Sequence, residues 1–439
     1  MTAVNPSSPE ASAVTSEVRA GRLWPRRVPP AHTPLSPRAL VRAALNELTR
    51  SGDSLAGLER LVRTRYEAEG VLLMDSGTHA LERALRLAAH LLGGLVTVAL
   101  PAYTCFDVAT AAVGAGLRIT LYDVNPNTLA PDLDSLHESL AAGARVAVVT
   151  PLYGVPVDWD AIERCASPHG AVMIEDAAQG HGSSWRQRSL GSWGRLSVLS
   201  FGRGKGWTGG CGGALLARSG ISVAPEGVQF GDRLVTSAAQ ALAAFLRATG
   251  QWAVSRPNLF ALAAALPGLH VGETPYHDPV PARGLPRLAA GLLERSVTLC
   301  DLEGEVRRAN AALLLAGIAA VSTRGGRPPI GLVSPPPNAT AGYLRFPARL
   351  ARGLDGFAHA GRAQQLGAAG SYPSTLAALP AVRDRMTAAD ATRRWPGAEA
   401  LVRELVTLPT HSQVTPAEQS ELLRLMGVRQ ELREPSNLE

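Results

Sequence analysis

The stretch from residue 196 to residue 216, LSVLSFGRGKGWTGGCGGALL, is the starting point because it contains Lys205, the only lysine among the 43 lysine and arginine residues of this 439-residue chain. A buried lysine amine can lose its proton and attack a carbonyl, whereas a guanidinium stays protonated. Lys205 is therefore a candidate covalent anchor. The alternative is one lysine left over in an arginine-rich composition.

The residues around Lys205 favour the anchor. Residues 196–201 alternate as a buried strand does, and seven glycines follow between positions 202 and 213. Glycine lets the backbone approach a ligand closely. The pattern predicts a strand that ends at a ligand site.

The composition is that of a soluble, enzyme-sized protein, with 46% hydrophobic and 18% charged residues and a net charge of +6. No dense basic run is interleaved with aromatics, which argues against nucleic-acid binding. The four cysteines lie far apart without a CxxC pair, so we expect no metal site and a reducing compartment. The first residues do not resemble a secretory signal and the apolar run 257–272 is short for a bilayer. We expect a cytoplasmic protein, with little support for membrane contact.

Four regions are expected along the chain. Residues 1–36, rich in Pro, Ser and Ala, predict a disordered or surface-draped tail. Residues 37–220 predict a ligand-binding large domain, and residues 221–300 a helical insertion or connector. Residues 301–439 predict a small C-terminal domain, with a helix over 302–316, a strand within 340–350 and a helix over 415–426.

The large domain has an α/β pattern, in which short apolar strands alternate with helices and imply a mainly parallel sheet covered by helices. The predicted strands are 96–100, 118–124, 145–150, 171–175, 196–201 and 213–217. In such sheets ligands bind at the carboxyl ends of the strands. Residues 76–78, Asp176 and Lys205 all follow predicted strands, so one crevice is expected to hold them.

Asp176 and the Ser76-Gly77-Thr78 turn complete a chemical set with Lys205. Pyridoxal phosphate needs a lysine for its aldehyde, an acid for its ring nitrogen and an anion site for its phosphate. The hydroxyls, amides and dipole at a helix start favour an anion. Each feature alone is also compatible with an ordinary helix cap.

Together these segments resemble the DegT/DnrJ/StrS sugar aminotransferases, a family of pyridoxal-phosphate fold type I. The matching motifs are SGTHAL (76–81), PAYTC (101–105), PLYGVPVDWDAI (151–162), IEDAAQGHGS (174–183), GSWG (191–194) and SFGRGK (200–205). Weaker matches follow at 371–376 and 404–415. The resemblance implies an aspartate-aminotransferase-like large domain and a smaller α+β C-terminal domain.

The resemblance also implies roles for individual residues. Lys205 would hold the cofactor covalently and act as the catalytic base, and Asp176 would pair with the ring nitrogen. The remaining cofactor contacts would be Ser76, Gly77, Thr78, Phe106, Gln179 and Ser200, and the substrate contacts Tyr153 and Trp207. No metal is implied.

Three positions depart from the family pattern. Cys105 stands where many members have an aromatic residue on the ring, so stacking would fall to Phe106. Cys211 replaces a frequent acidic residue, and Gly206 a frequent asparagine. These departures affect the expected substrate contacts more than cofactor binding.

The resemblance implies an aminotransferase that acts on a nucleotide-linked keto-sugar with glutamate or glutamine as the donor, in amino-sugar, polysaccharide or glycoside biosynthesis. Elimination or dehydration on the same cofactor is one alternative, although related dehydrases have histidine in place of the lysine. A non-catalytic regulatory protein that binds the cofactor is another. A homodimer is also expected, because the glycine-rich loop 206–213 must be held by some neighbour and lies near a two-fold interface in the family.

Overall fold

The computed structural model describes residues 26–49, 52–223, 237–266, 275–322, 330–387, 390 and 392–427. The helices are α1 Pro37–Thr49, α2 Ser54–Arg65, α3 Gly77–Leu91, α4 Phe106–Gly114, α5 Leu133–Ala141, α6 Trp159–Ala166, α7 Ala238–Val254, α8 Pro257–Ala265, α9 Arg287–Ser322, α10 Ala360–Gln365, α11 Pro380–Arg383, α12 Pro396–Glu404 and α13 Pro416–Leu425.

The strands are β1 Gly70–Met74, β2 Thr97–Pro101, β3 Arg118–Tyr122, β4 Ala144–Val149, β5 Val172–Asp176, β6 Ser184–Trp185, β7 Arg188–Ser189, β8 Leu196–Ser200, β9 Gly213–Ala217, β10 Gly331–Leu332, β11 Ala339–Thr340, β12 Phe346–Arg349, β13 Ala369–Gly370 and β14 Leu405–Leu408.

A seven-stranded sheet in the order β1-β9-β8-β5-β4-β2-β3 forms the centre of the large domain. β9 is antiparallel to both neighbours, and the other pairs are parallel. Its strands consist mostly of Val, Ile, Leu and Ala and are buried on both faces, as parallel strands under helices must be. The mainly parallel sheet predicted from the sequence is confirmed, and each predicted strand end lies within two residues of the observed one.

The parallel pairing sets the location of the site. β1 and β8 are both antiparallel to β9 and so run in the same direction, which is also that of β5, β4 and β2. Their carboxyl ends therefore meet at one edge of the sheet. The turns that follow Met74, Pro101, Val149, Asp176 and Ser200 share that edge.

A smaller antiparallel sheet, β10-β12-β14-β13, forms the second unit. The carboxyl half of α9 packs on it through Ala311, Leu314 and Ile318, and α13 adds Leu422 to the same core. This arrangement confirms the α+β character expected for the C-terminal region. The strand predicted within 340–350 covers only Phe346–Arg349, and the final helix matches its prediction within one residue.

Helix α9 joins the two units, because its 36 residues run from Arg287 to Ser322 without a break. The helix predicted over 302–316 is thus longer than expected, and the domain boundary placed at residue 300 falls inside it. The division into a large domain, a connector and a small domain remains a proposal.

Residues 26–36, expected to be disordered or draped on the surface, are ordered and partly buried against the rest of the chain. Val28, His32, Thr33 and Leu35 are buried, and Arg26 forms an ion pair of 2.6 Å with Glu418 of α13. The part of the predicted tail before residue 26 lies outside the described residues.

The insertion contributes α7, which packs beside α1 and α9, and α8, which packs against α7. Ala244 and Ala248 of α7 are buried against the large domain, whereas Leu242 and Leu246 are exposed. Among the residues that the structure describes, no helix is long and apolar enough to cross a membrane.

Candidate active site

Asp176 ends β5 at the edge where the carboxyl ends meet, and its side chain is buried. One carboxylate oxygen accepts the amide hydrogen of Ala178 at 3.2 Å, and the other lies 3.4 Å from the Thr150 hydroxyl. Burial raises the pKa of Asp176, while the nearby positive charge of Lys205 acts in the opposite direction. The predicted acid and the predicted anchor are thus close enough to interact.

The turn after β1 forms the start of α3. Ser76 is the N-cap, and its hydroxyl accepts the amide hydrogen of His79 at 3.1 Å. The amides of Gly77 and Thr78 precede the first intrahelical bond and are the ones available to an external acceptor. This geometry is that of an anion site at a helix start.

Ser200 of β8 lies directly against this turn. A Cβ atom built on Gly77 would be 2.6 Å from the Cβ and 2.8 Å from the Oγ of Ser200, which is too close for any side chain. Glycine at 77 therefore lets the Ser200 hydroxyl reach the first turn of α3. The predicted phosphate contacts are brought together.

Gln179 and Tyr153 are also in contact. The Gln179 amide oxygen accepts the Tyr153 backbone N–H at 2.7 Å, and its nitrogen donates to the Tyr372 hydroxyl at 3.0 Å. Tyr153 has φ of +57°, a left-handed conformation that costs a non-glycine residue about 1–3 kcal/mol and is common at functional sites. The Tyr153 hydroxyl is hydrogen-bonded to Ser371.

Ser371 and Tyr372 were not among the predicted site residues, although their segment was noted as a weak family match. They follow β13 of the small sheet and reach the site from the other unit. Tyr372 also packs edge-on against Tyr103, with ring centroids 5.4 Å apart. Only the three-dimensional fold brings these aromatic residues together.

Phe106, the predicted stacking residue, is the first residue of α4 and is buried in the core beside Tyr372. Cys105, one residue earlier, lies near Lys205 and Asp176, whose charges act in opposite directions on the pKa of its thiol. Burial and the neighbouring Asp107 raise the pKa of the Cys105 thiol to about 12, so the thiol is protonated at neutral pH.

Trp207 does not face a substrate space. Its ring is 2% exposed, its Nε1 donates to the Leu293 carbonyl at 3.1 Å, and it packs against Phe201 at 5.0 Å between centroids. The substrate contact predicted for Trp207 is therefore corrected to a core role. The wrong inference came from its position in sequence, which does not show that α9 covers it.

The rest of the loop 206–213 is likewise held within the chain. The Thr208 hydroxyl donates to the Phe201 carbonyl at 2.9 Å and lies 3.2 Å from Gln251 of α7. A Cβ on Gly210 would be 2.9 Å from Ala248. Helices α7 and α9 thus supply the contacts for which a second subunit was invoked.

Comparison with known proteins supports this reading of the fold. Residues 37–224 match the DegT/DnrJ/EryC1/StrS aminotransferase family. The sugar aminotransferase CalS13 from Micromonospora echinospora superimposes with a TM-score of 0.66 at 21% identity, over 91% of this chain and 99% of that one. The PLP-form of the putative sugar aminotransferase Spr1654 from Streptococcus pneumoniae superimposes with a TM-score of 0.67 at 16% identity, over 91% of this chain and 97% of that one.

Two curated relatives are similar in sequence. The L-glutamine:2-deoxy-scyllo-inosose aminotransferase of Micromonospora echinospora is 29% identical over 56% of this chain and 53% of its own length. The dTDP-3-amino-3,4,6-trideoxy-alpha-D-glucose transaminase of Streptomyces venezuelae is 35% identical over 35% and 40%. The chain spans about half the length, or less, of these relatives.

The fold is that of these solved sugar aminotransferases, which are fold type I pyridoxal-phosphate enzymes. The part of the chain that is similar to the DegT/DnrJ/EryC1/StrS aminotransferase family, residues 37–224, includes the turn after β1, Asp176 and Lys205.

Proposed function

We propose that this chain is a pyridoxal-phosphate-dependent aminotransferase that aminates a keto-sugar. The observation that carries the proposal is the position of its only lysine, Lys205, in the turn after β8, next to the parallel strand β5 that ends at the buried Asp176. Both lie at the edge of the sheet that also carries a helix-start anion site.

The described residues fit the cofactor. The close approach of Ser200 to Gly77 forms a cradle that any side chain at position 77 would fill, and the free amides there suit a phosphate. We propose that Ser76, Gly77, Thr78 and Ser200 hold the phosphate. The bound cofactor would supply an aldehyde for an amine and a ring that accepts an electron pair.

Each remaining residue has a distinct role in this proposal. Lys205 would hold the aldehyde of the cofactor through its Nζ, and its free amine would move a proton as base and then as acid. Asp176 keeps the ring nitrogen protonated, because a buried carboxylate pairs strongly with a cation. Gln179 and Phe106 would contact the ring, although both amide atoms of Gln179 also bind neighbouring residues.

The substrate side would be formed by Tyr153, Tyr372 and Ser371, which supply hydroxyls suited to a polyhydroxylated ring. We propose a nucleotide-linked keto-sugar as the acceptor and glutamate or glutamine as the donor. A keto-cyclitol is the second candidate, since one of the two relatives is named for 2-deoxy-scyllo-inosose. Elimination chemistry is disfavoured by the presence of Lys205.

A homodimer and a cytoplasmic location remain part of the proposal on the strength of the family resemblance. The loop 206–213 no longer argues for the dimer, because α7 and α9 hold it. Light scattering at micromolar concentration would measure the mass, and a fully active monomer would contradict the dimer.

The function is tested by supplying ¹⁵N-labelled glutamate or glutamine with either a dTDP-linked keto-hexose or 2-deoxy-scyllo-inosose and measuring label in the product. We expect labelled product with one acceptor and none with Lys205→Arg, which keeps the charge but cannot form an imine. Equal labelling by the arginine variant would overturn the proposal.

A further inference from the structure

Residues 26–33, here called the strap, connect the small unit to the loop that contains Lys205. Arg26 donates to Glu418 at 2.6 Å, and the Val28 amide donates to the Gln365 carbonyl at 2.8 Å. His411 donates through Nε2 to the Pro29 carbonyl at 2.7 Å. Three bonds thus fix the beginning of the strap to the C-terminal part of the chain.

The other end of the strap reaches the lysine. Arg307 of α9 is fully buried and donates to the His32 carbonyl at 2.8 Å. The Thr33 hydroxyl, itself buried, donates to the backbone carbonyl of Lys205. The strap precedes residue 37, where the family match begins.

The hydrogen bond between Thr33 and Lys205 lies at the point in the loop where the packing of the backbone changes. Before the lysine, Gly204 has φ of +72° and a Cβ there would meet nothing within 4 Å. After the lysine, a Cβ on Gly206 would be 2.7 Å from His181, and Trp207 is bonded to α9. Thr33 therefore meets the chain at the junction between an open turn and a packed segment.

We infer that Thr33 is a positioning residue, which fixes the backbone of Lys205 and so directs its amine toward the site. Thr33 acts through the main chain and touches neither substrate nor cofactor. The catalytic part of this inference rests on the proposed function. The effect of the strap on the backbone around Lys205 can be measured without it.

The test compares Thr33→Val, which replaces the hydroxyl with a methyl group, with Thr33→Ser, which retains the hydroxyl. The matched control is Thr407→Val, because Thr407 is a fully buried threonine that donates to the Ala369 carbonyl in the small sheet. Hydrogen exchange of the cofactor-free chains is followed by mass spectrometry over residues 201–209. The rate at which Lys205 reacts with an amine-acylating reagent is read from the same peptides over a pH series.

We expect exchange in 201–209 to be about fivefold faster in Thr33→Val, the change that one lost net hydrogen bond produces. The acylation rate of Lys205 should differ from that of the wild type throughout the pH series in the same variant. Thr33→Ser should resemble the wild type, and Thr407→Val should leave both readouts unchanged. If Thr33→Val does not fold, Thr33→Ala removes the same hydroxyl without placing a methyl group against the Lys205 carbonyl.

Unchanged exchange and acylation in Thr33→Val would overturn the inference, as would an equal effect of Thr407→Val. Both readouts use the cofactor-free protein. The two readouts therefore test the role of Thr33 separately from the proposed function. Normal cofactor binding by Lys205→Ala would contradict the proposed function but would leave both readouts valid.

Discussion

Glu175 and Asp176 are neighbours on β5 with different roles. The Glu175 carboxylate accepts the amides of Gly191 at 2.7 Å and Trp193 at 2.8 Å, and the Ser197 hydroxyl at 3.0 Å. The Glu175 side chain is completely buried. Asp176, the next residue, ends the strand at the site. One carboxylate supports the sheet edge, and the next lies at the proposed active site.

Removal of the Glu175 carboxylate should therefore destabilise the fold. Glu175→Ala leaves the buried donors of Gly191, Trp193 and Ser197 without their acceptor and removes the negative charge near the buried Arg218 guanidinium, and we expect a loss of about 3–5 kcal/mol in the free energy of unfolding. Denaturant titration measures it, with the exposed Glu163→Ala as a control expected within about 0.5 kcal/mol of wild type. A loss under about 1 kcal/mol for Glu175→Ala would contradict the structural role.

Asp176→Asn should leave the fold and cofactor binding largely intact but reduce turnover by about 100-fold or more, because a neutral amide no longer stabilises positive charge on the ring nitrogen. Steady-state kinetics and the visible spectrum measure the two effects. Wild-type turnover in this variant would assign Asp176 to capping alone.

Trp207→Phe tests the corrected role of the tryptophan. The phenylalanine ring fits the core but lacks the Nε1–H that donates to the Leu293 carbonyl, and the lost hydrogen bond should cost about 0.5–1.5 kcal/mol of stability. Substrate KM should stay unchanged. A raised KM with unchanged stability would restore the substrate contact first expected from the sequence.

His79 and Asp75 should give stability a pH dependence. The His79 nitrogens face two acceptors, Asp75 Oδ1 at 2.5 Å and the Val280 carbonyl at 3.0 Å, so both must carry protons. The Asp75 bond is the main cause that raises the pKa of His79. Because the folded pKa is the higher one, the stabilisation is present below the unfolded pKa of about 6.5 and is lost as pH rises through the folded pKa.

The stability difference between wild type and His79→Gln should accordingly be larger at about pH 6 than at about pH 9. Asp75→Asn should show a similar trend, because it removes the charge that favours the imidazolium. Thermal unfolding at several pH values measures it, and a constant difference across the range would refute the ion pair.

The sequence predicted the sheet, the edge of the site and the meeting of Lys205, Asp176 and Gly77, because these follow from local strand patterns and the direction of parallel strands. Tyr372 and Thr33 were not predicted. Each reaches the site from a distant part of the chain, and no local periodicity specifies how the small unit or the strap docks. Trp207 was misplaced for the same reason, since its cover is α9.

The central claim is that Lys205 binds pyridoxal phosphate covalently, and the direct measurement is mass spectrometry after borohydride reduction of the reconstituted chain. Because Lys205 is the only lysine, we predict one phosphopyridoxyl group per chain, on the tryptic peptide of residues 204–218, and none in Lys205→Ala. A group absent from the wild type, or found only on the N-terminal amine, would contradict the account.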